Sequence, residues 1–356
     1  MTQINKHILA NHTNHLMEKV LERSNLKRAL ERVKSNKGAP GVDNMQVNDL
    51  LPFLNVHWNR IKQELLDGTY KPAPVRRLEI PKPDGGVREL GIPTVLDRFI
   101  QQAIQQILTP IFEPTFSEFS FGFRPGKSAR QAVRQAQAYI QRGKRIVVDI
   151  DLEKFFDRVN HDLLMSKVAK YIVDTRIHKL IRRYLQAGVM LNGVCVTTDK
   201  GTPQGGPISP LLSNIMLNDL DHELTQRGHS FVRYADDCNI YVASKRAGQR
   251  VYASISKFIN EHLKLKVNER KSAVDYPNKR KFLGFSFTSC WEVKLRIAPQ
   301  TKTKFKEKIR KLTSRSWSIS MKERIEKLRA YLLGWSGYFG IAQTRSVFLE
   351  LDEWMR

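Results

Sequence analysis

The stretch FVRYADDCNIYVAS, residues 231–244, constrains the fold more than any other part of this chain. Val232, Ile240 and Val242 mark apolar strands on either side of Ala235-Asp236-Asp237, which puts the two acids at the tip of a tight hairpin. Neighbouring residues along a strand point to opposite faces, but a hairpin tip relaxes that rule and presents both carboxylates at one end. Such a pair repels itself and raises one of its pKa values unless cations or a divalent ion lie close by. Cations are abundant here: 60 Lys and Arg stand against 35 Asp and Glu, a net charge of +25. An oxygen cage for Mg²⁺ still needs a third donor.

The segment RIVVDIDLEKFFDRV offers one. Asp149 and Asp151 share a face by period-2 alternation, and Asp151 falls at the end of the strand, where a site would open. Asp157 is the remaining acid and is expected to cap the turn that follows. A two-metal site, with ions about 3.5–4 Å apart, would activate a 3′-hydroxyl and stabilise a leaving pyrophosphate. Taken alone, Tyr234-Ala235-Asp236-Asp237 reads first as a turn with Asp in a favoured position, and it is the rest of the chain that reverses this.

At 356 residues the chain can bury a large core and divide into two or three lobes. No apolar run approaches the length of about 18 residues that a membrane span needs, and the first residues lack the apolar core of a signal peptide. Cys195, Cys238 and Cys290 are few, odd in number and not paired as metal ligands are; ordinary buried thiols in a reducing, cytoplasmic setting are expected. A surface this basic attracts phosphate backbones, so nucleic acid is the expected partner and membrane is not.

Helices are expected up to about residue 75, interrupted by a loop at SNKGAPGVDN. A basic hairpin follows at 75–94, folded over Pro-Asp-Gly-Gly. Apolar spacing predicts helices over VLDRFIQQAIQQILTPIF and over SARQAVRQAQAYIQ, the second capped by Ser128. Beyond the central strand come helices from about His161 to Leu185, the loop GTPQGGPIS, a helix over PLLSNIMLNDLDHEL and the acidic hairpin. A helix around VYASISKFINEHL, a short strand pair near KRKFLGFSFTSCWEVKLRIA and a basic helical remainder complete the order. From 301 to 330 that remainder holds eleven Lys or Arg against three Glu. The mixed order of elements makes the class α+β.

Taken together these segments resemble the reverse transcriptases encoded by group II introns. FVRYADDCNIYV is similar to their catalytic hairpin, and VVDIDLEKFFDRVNHDLL to their first catalytic block. GTPQGGPISPLLSNIMLNDLD resembles the block beneath the incoming nucleotide, and KFLGF the primer grip. RRLEIPKPDGGVRELGIPTVLDRFIQQAI and FSEFSFGFRPGKSARQAV resemble the fingers blocks. The likeness runs in order from about residue 25 to the end. It implies a right-hand polymerase with fingers, an antiparallel-sheet palm and a helical thumb. The ranges expected are 1–60 for an N-terminal fingers extension, 61–288 for fingers and palm, and 289–356 for a basic thumb of maturase type.

The resemblance assigns Asp151, Asp236 and Asp237 to two Mg²⁺ ions and leaves Asp149 as a neighbour. Phe156 would pack under the sugar and reject a 2′-hydroxyl, whereas Phe155 reads as core. Gln204 would lie against the nucleotide, with two glycines beside it letting backbone approach a ligand. Lys82 and Arg88 match triphosphate-binding positions, Lys271 is a further candidate, and cations there suit phosphoryl transfer. Leu283 and Gly284 would position the primer end through backbone contacts, and Arg124 and Lys127 would touch template. The segment GFRPGKS is not a Walker A loop, since Gly122 and Gly126 enclose three residues rather than four.

MKERIEKLRAYLLGWSGYFGIAQTRSVFLELDEWMR resembles the maturase-specific thumb. Ile325, Leu328, Leu332 and Trp335 are expected to form its packing face, leaving Lys322, Arg324, Lys327 and Arg329 for RNA phosphate. No His-Asn-His nuclease segment is seen, so second-strand cleavage is not expected. The implied activity is RNA-directed DNA polymerisation with two Mg²⁺ ions, joined to binding of an intron RNA that assists splicing and retrohoming. The implied partners are intron RNA template, DNA primer or target and dNTPs; a homodimer is left open. The alternatives are a splicing-only RNA-binding maturase, or a related reverse transcriptase serving phage defence or CRISPR spacer acquisition.

Overall fold

A computed structural model describes residues 13–81, 87–191, 194–196, 200–201 and 205–356. By its contacts the chain divides into two compact units, each assembled from three separate stretches.

The first unit comprises Met1–Ser117, Leu152–Glu223 and Ser256–Val267. Its helices include Arg23–Asn36, Leu50–Leu66, Val95–Phe112, His161–Ala169 and Thr175–Gln186. The expected basic hairpin forms as β1 (Val75–Pro81) and β2 (Val87–Ile92), paired antiparallel from Arg76↔Ile92 to Pro81↔Val87. A second hairpin, β4 (Val189–Leu191) and β5 (Val194–Val196), extends this sheet through a parallel pairing of β1 with β4. Sequence reasoning passed over it because each strand is only three residues long. Asp97 fixes the entry to the helix Val95–Phe112. Its buried carboxylate accepts from the Tyr70 hydroxyl at 2.9 Å, the Thr94 hydroxyl at 2.8 Å and the Ala73 amide at 3.1 Å. These three donors supply the pairing that a buried charge requires.

The second unit comprises Glu118–Asp151, Leu224–Ile255 and Asn268–Arg356. At its centre is a four-stranded antiparallel sheet in the order β6-β7-β3-β8, built from β3 (Ile146–Ile150), β6 (Ser230–Tyr234), β7 (Asp237–Val242) and β8 (Ala273–Asp275). The β-branched run Ile146-Val147-Val148 suits a central strand buried on both faces. Val147, Val232 and Tyr241 pack with Ala132, Ala136 and Ile140 of the helix Ala129–Gln141, whose first amides are capped by Ser128. Ile146 and Val148 face the other way, against Gly248 near the start of the helix Lys245–His262.

A short hairpin, β9 (Phe285–Phe287) with β10 (Leu295–Ile297), leads into the helices Pro299–Thr313, Met321–Phe339 and Ser346–Met355. Phe305, Ile309 and Leu351 form a small core with Leu328, Tyr331, Leu332 and Trp335 around it. Ile325 is 57 % exposed and takes no part, contrary to the expected packing face. The apolar stripe of that helix joins this core only from Leu328 onward, which leaves Ile325 outside it. Cys290 likewise departs from expectation: it is exposed, whereas Cys238 is buried. The segment between β9 and β10 carries Cys290 away from the sheet.

Candidate active site

The acidic hairpin closes with the pair Tyr234↔Asp237, so Ala235 and Asp236 are the two turn residues and Asp237 begins β7. Ala235 adopts φ +56°, a left-handed conformation that costs a residue with a Cβ about 1 kcal/mol. Something must hold it there, and three contacts do. The completely buried guanidinium of Arg233 donates to the Ala235 carbonyl at 2.8 Å. The backbone of Arg233 is gripped from outside by the Phe119 carbonyl at 2.9 Å and the Phe121 amide at 2.8 Å. Gly122 then presses directly on the turn: a Cβ there would collide with the Ala235 nitrogen and lie 3.0 Å from the Tyr234 carbonyl carbon. The glycine is needed because two backbones meet.

Asp151 follows the central strand. Its amide donates to the Ser272 hydroxyl at 3.0 Å, and its carbonyl accepts from the Asn268 amide at 2.8 Å. The turn over 268–272 therefore pins the acid's backbone from the side of β8. Neither Ser272, Asn268 nor Arg233 was singled out from sequence. Two of them act through atoms that any small polar residue offers, and Arg233 was one cation among 60 Lys and Arg.

Asp149, Asp151 and Asp237 line one cleft of about 560 Å³, faced by Arg270, Lys271, Lys281 and Arg280. Asp149 is already committed. Arg280 forks onto one of its carboxylate oxygens at 2.9 and 2.6 Å and also donates to the Lys271 carbonyl at 2.6 Å. Burial raises the Asp149 carboxyl above the usual range, and Arg280 opposes that shift. Asp237 is pushed up to about 7, first by desolvation, then by the charges of Asp236, Asp149 and Asp151, with Lys281 pulling it down. Its side chain is nonetheless exposed at the strand end. Exposure limits the burial contribution and leaves like-charge repulsion as the part that a bound cation could cancel.

Among the described residues no three His, Cys, Asp or Glu side chains converge as a ready-made metal cage. The donor set nevertheless fits Mg²⁺, which is ordinarily held by one or two carboxylates and completed by water and phosphate oxygens. Asp151 and Asp237 face the cleft as that pair, while Asp236 is the turn residue beside it.

Leu283 and Gly284 also line the cleft, as the two positive-φ residues (+51° and +86°) of a turn closed by mutual hydrogen bonds of 2.9 Å between Phe282 and Phe285. Both carbonyls are engaged by protein: that of Leu283 by the Tyr338 hydroxyl at 2.9 Å, that of Gly284 by the Thr301 hydroxyl at 2.9 Å. Arg124 and Lys127 brace their own loop, donating to the carbonyls of Ser120 (2.8 Å) and Glu118 (3.1 Å). In the helix Met321–Phe339, Lys322 and Arg329 are exposed. Lys327 pairs with Glu323 at 2.6 Å and lies over the Trp317 ring. Arg324 is not left for phosphate as expected. It donates to the carbonyls of Thr313, Ser314 and Trp317 at 2.8–3.0 Å, because the preceding helix ends there with carbonyls to satisfy.

In the other unit, Phe155 is buried and the half-buried Phe156 meets it edge-on at 5.1 Å. The cap of the helix His161–Ala169 is Asn160, which accepts from the Leu163 amide at 2.8 Å, and Asp157 lies in the short helix Phe155–Arg158 before it. Lys82 and Gln204 lie outside the described residues, and Arg88 is described only as backbone paired with Ile80. The glycines after Gln204 approach protein rather than open space: a Cβ on Gly205 would meet the Gly91 carbonyl, and one on Gly206 the Gln101 side chain.

Comparison with known proteins adds a family. The model for reverse transcriptase (RNA-dependent DNA polymerase) matches residues 80–287, and that for the group II intron maturase-specific domain matches 302–356. Protein YkfC of Escherichia coli (strain K12) is 34% identical over 68% of this chain and 74% of its own length. The group II intron-encoded protein LtrA of Lactococcus lactis subsp. cremoris is 36% identical over 72% of this chain, which spans only 42% of LtrA. A chain of the solved partial Cas6-RT-Cas1--Cas2 complex aligns with a TM-score of 0.43 and 21% identity over 69% of this chain and 42% of that one, too distant to bear on function.

Proposed function

The chain belongs to the reverse transcriptase family, the RNA-directed DNA polymerases, with the maturase-specific domain of group II introns, and from that premise we propose how its residues divide the work. Asp151 and Asp237, with Asp236 beside them, would hold two Mg²⁺ ions. Bound there, the ions would supply the positive charge that activates a primer 3′-hydroxyl and stabilises departing pyrophosphate. Arg270, Lys271 and Lys281 face the same space and provide cations for the phosphates of an incoming dNTP. Lys82, Arg88 and Gln204 contribute to nucleotide binding, and Phe156 excludes the 2′-hydroxyl. The turn at Leu283 and Gly284, tied to Tyr338, seats the primer end. Residues 1–60, 61–288 and 289–356 serve as fingers extension, fingers with palm, and thumb. The thumb, through Lys322 and Arg329 among others, binds intron RNA and assists its splicing and retrohoming.

The observation that carries this reading is the cleft itself. Asp151 and Asp237 line it together with Arg270, Lys271 and Lys281, a combination of carboxylates and cations suited to metal-assisted phosphoryl transfer and of no use to a plain RNA binder. The test is primer extension on an RNA template with dNTPs and Mg²⁺. Wild type should make DNA, while Asp151→Ala and Asp236→Ala should make none yet still bind structured RNA. A wild-type chain that binds structured RNA tightly but never extends a primer would overturn the polymerase reading.

A further inference from the structure

Around β9 and β10 the second unit exposes aromatic rings and cations that the chemistry above does not use. Trp291, between the two strands, is 89% exposed, unusual for so large an apolar ring. The Arg145 guanidinium lies over it, 5.3 Å from the ring centroid. Arg145 also walls a cleft of about 320 Å³ that it shares with Tyr276, Lys279 and Cys290. Tyr276 is 45% exposed, with the ammonium groups of Lys245 and Lys279 at 4.9 and 5.8 Å from its ring. The nearby acids are occupied: Glu292 pairs with Lys294 at 3.0 Å, and Asp275 accepts from the Tyr276 amide at 2.8 Å. Asp275 keeps its charge, but Arg145, Lys245 and Lys279 outnumber it, so the patch is positive. Lys279 lines both this cleft and the one that holds Asp151 and Asp237, so the two clefts are neighbours.

We propose that this patch is a second nucleic-acid site, taking a single-stranded segment of the RNA or DNA strand that occupies the catalytic cleft. An unpaired base stacks on Trp291 or Tyr276, and Arg145, Lys245 and Lys279 hold the adjoining phosphates. Rings flanked by cations are the sequence-tolerant chemistry of single-strand binding, whereas a duplex offers no free base faces to them. A protein partner is disfavoured because two of the three cations over the rings are lysines, a residue that protein–protein interfaces tend to exclude. The inference rests on the polymerase reading only for the identity of the ligand.

The test is ultraviolet crosslinking of the full chain to a primer–template with a long single-stranded tail. The tail carries 4-thiouridine when it is RNA and 4-thiothymidine when it is DNA, and adducts are mapped by peptide mass. The expected result is adducts on peptides holding Tyr276 or Cys290 and Trp291, in addition to those from the catalytic cleft. Trp291→Ala combined with Tyr276→Ala should cut the patch adducts roughly tenfold or more, while cleft adducts and melting temperature hold. Trp291→Phe should retain them, since a phenyl ring still stacks. The two tail chemistries decide which strand lies there. Cleft adducts without patch adducts, or patch adducts indifferent to loss of both rings, would overturn the proposal and leave the polymerase reading intact. Failure of that reading shows separately, as absent primer extension and absent cleft adducts.

Discussion

Gly122→Ala is the sharpest test of how the acids are held. The added methyl would overlap the Ala235 nitrogen and stand 3.0 and 3.1 Å from the Tyr234 carbonyl carbon and the Ala235 Cα. Carbon atoms rest comfortably at about 3.5–4.0 Å, so relief demands a movement of about 1 Å between two backbones. Neither side yields easily. Residues 119–122 are bonded to Arg233 through main-chain atoms, and the Ala235 carbonyl is held by the Arg233 side chain. Overpacking of this kind costs roughly 1–3 kcal/mol of stability. The turn that moves carries Asp236 and leads into Asp237, and a 1 Å misplacement of a catalytic group costs about a hundredfold in rate, near 2.7 kcal/mol of activation energy. Single-turnover primer extension should therefore slow about a hundredfold at saturating dNTP, with KM for dNTP little changed. Gly337→Ala is the control: nothing lies within 4 Å of its Cβ position on an exposed helix face, so it should leave extension intact and stabilise the helix slightly. If Gly122→Ala extends primers at the wild-type rate, the contact with residues 119–122 does not position the acids. A fall in melting temperature with no loss of rate would refute the positioning role equally.

Charge in the cleft yields two further expectations. Without metal, the folded state of Asp237 keeps its proton up to about pH 7, above the ordinary carboxyl value of 3.8, so its contribution to stability is lost as pH rises between those values. Asp237→Asn should accordingly stabilise the metal-free protein at pH 8, by on the order of 1 kcal/mol after solvent screening, and have little effect at pH 4. Mg²⁺ should raise the melting temperature of wild type but not of the variant; equal shifts would mean that repulsion among the acids is not what the ion relieves. Arg280→Gln strips Asp149 of its fork and should cost about 1–3 kcal/mol. The Asp149 carboxyl is already raised and would rise further, so the loss should be larger at pH 8 than at pH 4. A pH-independent loss in denaturant titrations would mean that Arg280 acts through the Lys271 carbonyl instead.

Local pattern in the sequence was enough to locate the elements that carry the acids. Alternation and an apolar-acid-apolar pattern located the hairpin with Asp236 and Asp237. Period-2 spacing put Asp149 and Asp151 on one face, and helical spacing gave Val95–Phe112 and Ala129–Gln141 almost to the residue. Each of these signals is readable within one element because its period is set by backbone geometry. What stands behind each acid, by contrast, emerged only on folding. Ser272 and Asn268 reach Asp151 across more than a hundred residues of chain, Arg280 reaches Asp149 over a separation of 131, and residues 119–122 brace a turn at 235. Strand length, exposure of Ile325 and Cys290, and the use of Arg324 on helix-end carbonyls were equally out of reach. No spacing rule encodes such partners: a hydrogen bond between distant segments depends on where the chain returns, and one arginine among so many looks like any other until it is buried.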